Sequence, residues 1–494
     1  MINVSLILAL IIVYFGFLLI IAYYGRLKTG KGLEEFYIAG RKITGFVAAL
    51  TYASTTYSVF MMVGLVGLTY AYGVGALGFE LTYLLATVLL LTIFAPKFWV
   101  AGKIWGYITP TQLLAGRYES KLVGIVATIL CLVFLVPYMS IQGMGSAYLI
   151  EALSGGMISY EVSLTFIILV ITICALLGGF RGVAWTDTVQ GLLMLSASIY
   201  LFFYLLYVHL GGWGNFVSIL ENQHPTMLVV PGPKNFFTIQ NFITLTIPWF
   251  FFALTNPQVS QRLFVSKSVS SLRNMIIGFF IFGFIYTVIS VLFGFMAVAL
   301  GISASPPDKA MPLILELFVP PILALIVMLS ILSAGVSTAN SIMLSLASMV
   351  GRDIYGAITK KSSEKVEMWV GYATILIEAL IIWFFAIQKL GLISLLAVMA
   401  SAGLLVQIPT IIGAFYWKNG SGIGACISMI VGGALTGILY ILKISPLSLG
   451  PPVWGLIITT ILFISVSLVT RKPANAENFI FLIKKELKVK GFIR

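Results

Sequence analysis

The chain reads as a succession of long apolar stretches separated by short polar or basic breaks. Apolar runs of about 18 residues or more with few charges are membrane-span signals. Thirteen spans are expected here, at 3–23, 44–70, 73–96, 122–148, 160–179, 185–207, 236–255, 274–300, 321–349, 367–388, 391–414, 421–442 and 452–470. Each must be a helix, because hydrocarbon offers backbone groups no partner and the alternation of a barrel strand is absent. The first run, Val4 to Tyr24, has no basic residue before Arg26. A signal peptide has a basic start and a small-residue cleavage site, so this run is read as a retained span.

Composition removes the soluble alternative. The 494 residues are 60% hydrophobic and 9% charged, with a mean hydropathy of +1.07. A soluble domain carries about 45–50% apolar and about 25% charged residues, so too little polar surface remains to cover a water-soluble globule. The net charge of +13 would point to nucleic acid in a soluble protein. Here its placement decides otherwise. With the N-terminus outside, all but Lys234, Lys309, Lys389 and Lys443 of the 29 lysines and arginines fall on inside segments. That asymmetry follows the positive-inside rule and orients the chain N outside, C inside. The basic excess then faces anionic lipid headgroups, and no nucleic acid is implied. The end of the chain, Arg471 to Arg494, mixes Lys484, Lys485, Lys488 and Lys490 with Phe479, Ile480, Phe481 and Leu482. It reads either as an amphipathic helix on the membrane surface or as a solvated tail.

Several chemistries are excluded. Cys131, Cys174 and Cys426 are odd in number, lie in apolar stretches and form no CxxC pair, so neither a disulfide framework nor a zinc site is indicated. His209 and His224 lie in the outside loop 209–234 and read as surface residues. The stretch Gly25–Gly32 approaches the phosphate-loop pattern, but Gly32 stands where magnesium needs a hydroxyl, and a membrane span precedes it rather than a strand. No nucleotide site and no enzymatic constellation is expected.

Polar residues inside spans carry the information, because their desolvation must be compensated. The second span contains Thr51, Ser54, Thr55, Thr56 and Ser58 within eight residues, followed by Gly64 and Gly67. That composition suits a helix that unwinds and frees carbonyls, as broken helices do around ion and solute sites; back-bonding of each hydroxyl to its own helix is the alternative. In the ninth span Ser337 and Thr338 lie three and four residues beyond Ala334, so their hydroxyls point back toward its carbonyl. Three neutral oxygens converge there, and two carbonyls from the broken span complete a shell suited to sodium, which does not need calcium's carboxylate cage. Back-bonding again is the alternative. Glu80, Glu378 and Asp187 are acids in or at spans. Asp187 also opens the pattern Asp187-Thr188-Val189-Gln190, a helix-capping box.

These residues resemble the sodium:solute symporter family. The matching motifs are Gly178 through Gln190 with Trp185, Thr186 and Asp187, the run Ser333 to Thr338 followed by Gly351-Arg352-Asp353-Ile354-Tyr355, and Gln261-Arg262. They are spread in order over about residues 35 to 420. The resemblance implies an all-α membrane protein of the LeuT type. Its two inverted five-helix repeats would occupy 44–208 and 235–414. Around them lie an N-terminal span and basic loop (1–43), an outside loop (209–234), two accessory spans (415–470) and a basic tail (471–494). The second repeat's break is expected near Pro248 or Thr255-Asn256-Pro257.

By position, the family's sodium ligands are Ser54 and Tyr57 through their carbonyls, with Ala334, Ser337 and Thr338. Asp187 matches an acid thought to help sodium leave inward, and Glu80 matches a solute-contacting glutamate of sugar-transporting members. Tyr138, Trp249 and Phe252 fall on solute-side positions, with ordinary packing as the alternative. Two departures bear on the solute. Thr56 stands where proline transporters have aspartate, and Met61 where sugar transporters have a polar contact. A small amino acid, a monocarboxylate or a vitamin-like acid is therefore expected. The resulting expectation is a multi-pass plasma-membrane symporter, monomeric in function, that imports its solute by alternating access with one sodium per cycle. Proton coupling through Glu80 or Asp187, a membrane solute sensor and a passive channel are the alternatives.

Overall fold

A computed structural model describes residues 4–359, 363–389 and 391–493. The expected inside lysines Lys360 and Lys361, the first residue of the first expected span and the final Arg494 lie outside these. Among the described residues the chain is helical, and its one β-bridge joins Ile43 to Ser266. The helices that matter for the site are α1 (Val4–Leu27), α2 (Gly45–Thr56), α3 (Phe60–Tyr72), α4 (Gly75–Trp105), α5 (Lys121–Leu153), α6 (Tyr160–Tyr204) and α7 (Ile239–Phe250). They continue as α8 (Val269–Ala299), α9 (Pro321–Met349), α10 (Glu364–Ile387), α11 (Ile393–Leu405), α12 (Ile408–Tyr416), α13 (Gly422–Ile441), α14 (Pro451–Val469) and α15 (Ala476–Val489). Every expected span falls on one of these helices, on part of one, or on two in succession.

The helices differ from the expected spans where the backbone is interrupted. The second span is two helices, α2 and α3, bent by 51°. The eleventh, expected to be continuous, is α11 and α12, bent by 42°. The fifth and sixth spans form one helical run of 45 residues, about 68 Å if straight at 1.5 Å per residue and far longer than a bilayer core. Gly179, at φ 55° and ψ −179°, folds it into a hairpin. A side chain there would also meet the Phe36 ring at about 3 Å, so glycine is required twice over.

Lipid is as apolar as leucine, so these helices associate through close packing of small residues rather than by leaving water. The contact of α1 with the returning leg of α6 is an instance. A Cβ on Gly25 would stand 2.6 Å from Gly182 Cα, and one on Gly182 would stand 2.8 Å from Ala22 O. The bundle interior is lined by α9, α6, α2 and α5, and α9 is buried almost around its whole circumference.

Both readings of the tail need correction. Residues 476–489 do form an amphipathic helix, but its apolar face, with Phe479, Ile483 and Leu487, is buried against the protein. Phe479 stacks on Trp105 at 4.4 Å, and Glu119 accepts hydrogen bonds from the Ala474 and Asn475 backbone. The outside loop also has structure: Trp213–Gln223 is helical, and Met227 O accepts from Val74 N where the α3 end turns into α4.

Candidate cation and solute site

The break between α2 and α3 follows from its own residues. The Ser54 and Thr56 hydroxyls donate back to Leu50 O (2.8 Å) and Tyr52 O (2.6 Å), the local competition expected of hydroxyls within a helix. Tyr57 leaves the helix at φ −90° and ψ 93°. Its ring is held between α2 and α8, stacked on Phe279 at 5.6 Å and Phe282 at 5.9 Å. Ser58 Oγ then accepts from Phe60 N at 3.1 Å, opening the next helix. A helix end leaves its last carbonyls without helical partners, here in the middle of the bundle.

Those carbonyls face α9. Thr338 Oγ1 donates to Thr55 O at 3.1 Å and approaches Ser54 O at 3.4 Å. Ser337 Oγ instead donates to Asp187 Oδ1 at 2.7 Å. Neither hydroxyl back-bonds within α9, so that alternative is set aside for this pair. Of the expected sodium ligands, Ser54, Ser337 and Thr338 lie around one small buried volume. Thr55, unremarked in the sequence, supplies the carbonyl nearest Thr338. Tyr57 sits at the break itself, and Ala334 one turn before Thr338 on α9.

Asp187 is not a helix cap. It lies two turns beyond Gly179 inside the returning leg of α6, and its carboxylate faces the bundle interior. Oδ2 accepts from Thr51 at 2.5 Å and pairs with Arg262 Nη2 at 3.0 Å. Each nitrogen of Arg262 has a partner. Nε reaches Thr51 O at 3.2 Å, Nη1 reaches Gln258 O at 2.7 Å, and Nη2 also reaches Ser341 at 2.7 Å. A buried pair is tolerable only when such bonds satisfy it. Together these bonds tie α2 and α6 to α9 and to the segment after α7.

Of the two places expected for the break, Thr255-Asn256-Pro257 is interrupted, whereas Pro248 stays helical and the other interruption follows at Phe251. The chain leaves the helix at Phe251 and again, in extended conformation, at Asn256. The interruption turns Trp249 and Phe252 into a stack at 5.0 Å and 9°. Phe60 stacks on the other side of Trp249 at 5.1 Å, and Tyr83 and Tyr138 meet it edge-on. Tyr138, Trp249 and Phe252 are thus brought together as expected. Tyr138 Oη lies 3.5 Å from Ser58 Oγ at the break. Glu80 is buried near Tyr57, Tyr83 and Tyr138, and neither carboxylate oxygen has a hydrogen-bond partner among the described residues. Met61 is buried at the start of α3, and Thr56 spends its hydroxyl on Tyr52 O.

Gln142 went unnoticed in the sequence. Its Oε1 accepts from Val59 N at 3.3 Å, and its Nε2 donates to Tyr138 O at 3.0 Å. A lone glutamine in a span has no spacing signature, so no sequence pattern would have singled it out. Toward the end opposite the basic one, Ile393 packs on Gly64 and Gly145. Its backbone N–H is held by Asp308 Oδ2 at 3.0 Å.

A bundle of apolar helices in which two interrupted helices bring free carbonyls, hydroxyls and an aromatic box together mid-bundle is the architecture of a secondary transporter. The sodium:solute symporter family model matches residues 36–432. The chain is 30% identical over 441 residues to the sodium/pantothenate symporter of Haemophilus influenzae, covering 87% of this chain and 89% of that protein. It is 26% identical over 485 residues to the sodium/proline symporter of Staphylococcus aureus, covering 94% and 93%. Among solved structures it is similar to a Na+-coupled sialic acid symporter, with a TM-score of 0.79 at 18% identity over 94% of this chain and 98% of that one. A nucleobase-cation-symport-1 family transporter in a closed conformation matches with a TM-score of 0.59 at 13% identity over 90% and 98%. The structural likeness establishes the LeuT-type fold. The chain belongs to the sodium:solute symporter family. It is a sodium-coupled solute symporter and a multi-pass plasma-membrane protein.

Proposed function

We propose that the chain imports a small monocarboxylate of the pantothenate type, one sodium per cycle, by alternating access. The observation that carries this reading is the start of α3 beside the aromatic box. A helix N-terminus favours a carboxylate through its dipole, and the start of α3, whose Val59 and Phe60 N–H groups are held by Gln142 Oε1 and Ser58 Oγ, lies next to Tyr138, Trp249 and Phe252. The aromatic faces would cover the solute's apolar body. Glu80, dry and without a partner among the described residues, is left for a hydroxyl or amide of that body. Thr56 and Met61 replace the groups that would select proline or sugar. The H. influenzae relative is a sodium/pantothenate symporter, in line with this solute class.

Sodium is cargo. Its ligands in this reading are the Ser54 and Tyr57 carbonyls, the Ala334 carbonyl and the Ser337 and Thr338 hydroxyls. All are neutral oxygens, as a weakly charged hard cation requires. Asp187, already bonded to Ser337, would draw the ion toward the basic, cytoplasmic face. A tenfold sodium gradient supplies about 1.4 kcal/mol, and the potential adds about 2.3 kcal/mol per 100 mV. Together they concentrate a neutral solute by roughly two orders of magnitude, and an anion only by the chemical gradient. The monomer contains both sites.

Proteoliposomes with an inward sodium gradient and labelled pantothenate test the reading. Concentrative uptake that potassium does not support, competed by short monocarboxylates and not by sugars, is expected. Uptake driven by a pH gradient without sodium, or competition by proline alone, would overturn it.

A further inference from the structure

Val59 lies between the cation side and the solute side of the site. It sits in two glycine notches. A Cβ on Gly145 of α5 would stand 2.1 Å from Val59 Cγ1, and one on Gly335 of α9 would stand 2.7 Å from Val59 Cγ2. The same Cβ on Gly335 would lie 3.0 Å from Ser146 Oγ and 3.3 Å from Gln142 O. Gly335 is flanked on α9 by Ala334, Ser337 and Thr338. On the other side of Val59, its backbone N–H donates to Gln142 Oε1 (3.3 Å), while Gln142 Nε2 donates to Tyr138 O (3.0 Å). Ser146 Oγ in turn donates to Gln142 O at 2.7 Å. Tyr138 packs edge-on against Trp249 and Phe252.

We propose that Gln142 is the positioning residue through which sodium binding organises the solute pocket. The inference rests on the reading that sodium binds between the break and α9. An ion drawing the Ser54 and Tyr57 carbonyls toward Ser337 and Thr338 closes the gap that Val59 fills. Val59 has little room to move into α9, where even a Cβ on Gly335 would overlap it. The displacement therefore passes along its backbone to the one polar group that holds it, the Gln142 amide, and from there to Tyr138 and its aromatic neighbours. Coupling of two sites requires a shared element whose arrangement both ligands bias. Gln142 is buried, touches the break on one side and the aromatic box on the other, and the sodium ligand set does not use it.

The test uses the purified full chain, sodium chloride titrated against potassium chloride at equal ionic strength, and two readouts. One is the thermal shift on sodium. The other is the sodium-induced change in tryptophan fluorescence, assigned to Trp249 by its loss in Trp249→Phe. In Gln142→Leu the thermal shift is expected to persist within twofold of wild type in its sodium midpoint, while the fluorescence change is lost. Gln142→Glu keeps an acceptor for Val59 N–H but lacks the Nε2 donor to Tyr138 O, so it is expected to leave the signal lost. Gln142→Met repeats the comparison should leucine disturb folding. A wild-type fluorescence response in both Gln142→Leu and Gln142→Met overturns the proposal. So does loss of the thermal shift together with the signal, which would place Gln142 in the ion site or the fold. A wild type whose melting point ignores sodium overturns the sodium-site reading itself, and the proposal with it. That outcome is visible before any variant is made.

Discussion

Replacing Arg262 by methionine isolates the contribution of the buried ion pair. Arg262 Nη2 lies 3.0 Å from Asp187 Oδ2, and each side chain is 1% exposed. Removing one member of such a pair leaves a dry charge, at a cost of about 3–5 kcal/mol. Thr51 and Ser337 still donate to the carboxylate, so the lower figure applies, about 3 kcal/mol. That is about two orders of magnitude in an equilibrium constant. The cost falls on every conformation that keeps Asp187 dry and spares one in which the basic face opens and water reaches it. R262M should therefore melt lower and populate the open basic face. Replacing both partners, D187N with R262M, removes the charges together and should recover most of the loss, as buried pairs replaced by neutral groups do. Thermal unfolding of the four proteins gives the cycle. A cysteine at Ser345, one turn nearer the basic face than Ser341, gives the opening. Cys131, Cys174 and Cys426 are buried, so the thiol background is low. R262M melting like wild type, or a double variant as destabilised as the sum of the singles, would refute the reasoning.

Two further outcomes follow from the site and from Asp308. Thr338→Ala removes the hydroxyl that meets the Thr55 and Ser54 carbonyls and should raise the sodium concentration for half-maximal uptake about tenfold, equivalent to about 1.4 kcal/mol. Thr338→Ser should remain near wild type, and equal behaviour of the two would exclude the hydroxyl as a ligand. Burial pushes Asp308 up from 3.8 to about 6, against the opposing hydrogen bond from Ile393 N–H. A carboxyl raised on folding costs stability when charged and none when protonated. The gain in melting temperature of Asp308→Asn over wild type should thus be largest at pH 7 and vanish toward pH 4; a constant gap across that window would count against it.

The spans and the broken second helix were legible because they are local: apolar run length, five serines and threonines in eight residues, and glycines after them. The aromatic box was reachable only through resemblance, since Tyr138 and Trp249 are 111 residues apart in the chain. The partner of Asp187 was not legible. Its local pattern matched a capping box, whereas Arg262 and Thr51 come from distant segments and set the carboxylate's role. The hairpin at Gly179 looked like a loop because a single positive φ leaves no mark in hydropathy. The tail read two ways because an amphipathic stripe fits lipid and protein alike, and only Trp105 and Phe415 on the receiving face decide between them.

The backbone contact of Gly25 with Gly182 also fixes a frame of reference. With Cβ-free residues on both sides, neither α1 nor the returning leg of α6 can slide past the other without main chain striking main chain. The first helix is thus welded to the leg that carries Asp187. The two are expected to move as one piece, so two probes placed across the pair form an internal ruler of constant length. Distances from it to α9 or α11 then record the stroke itself.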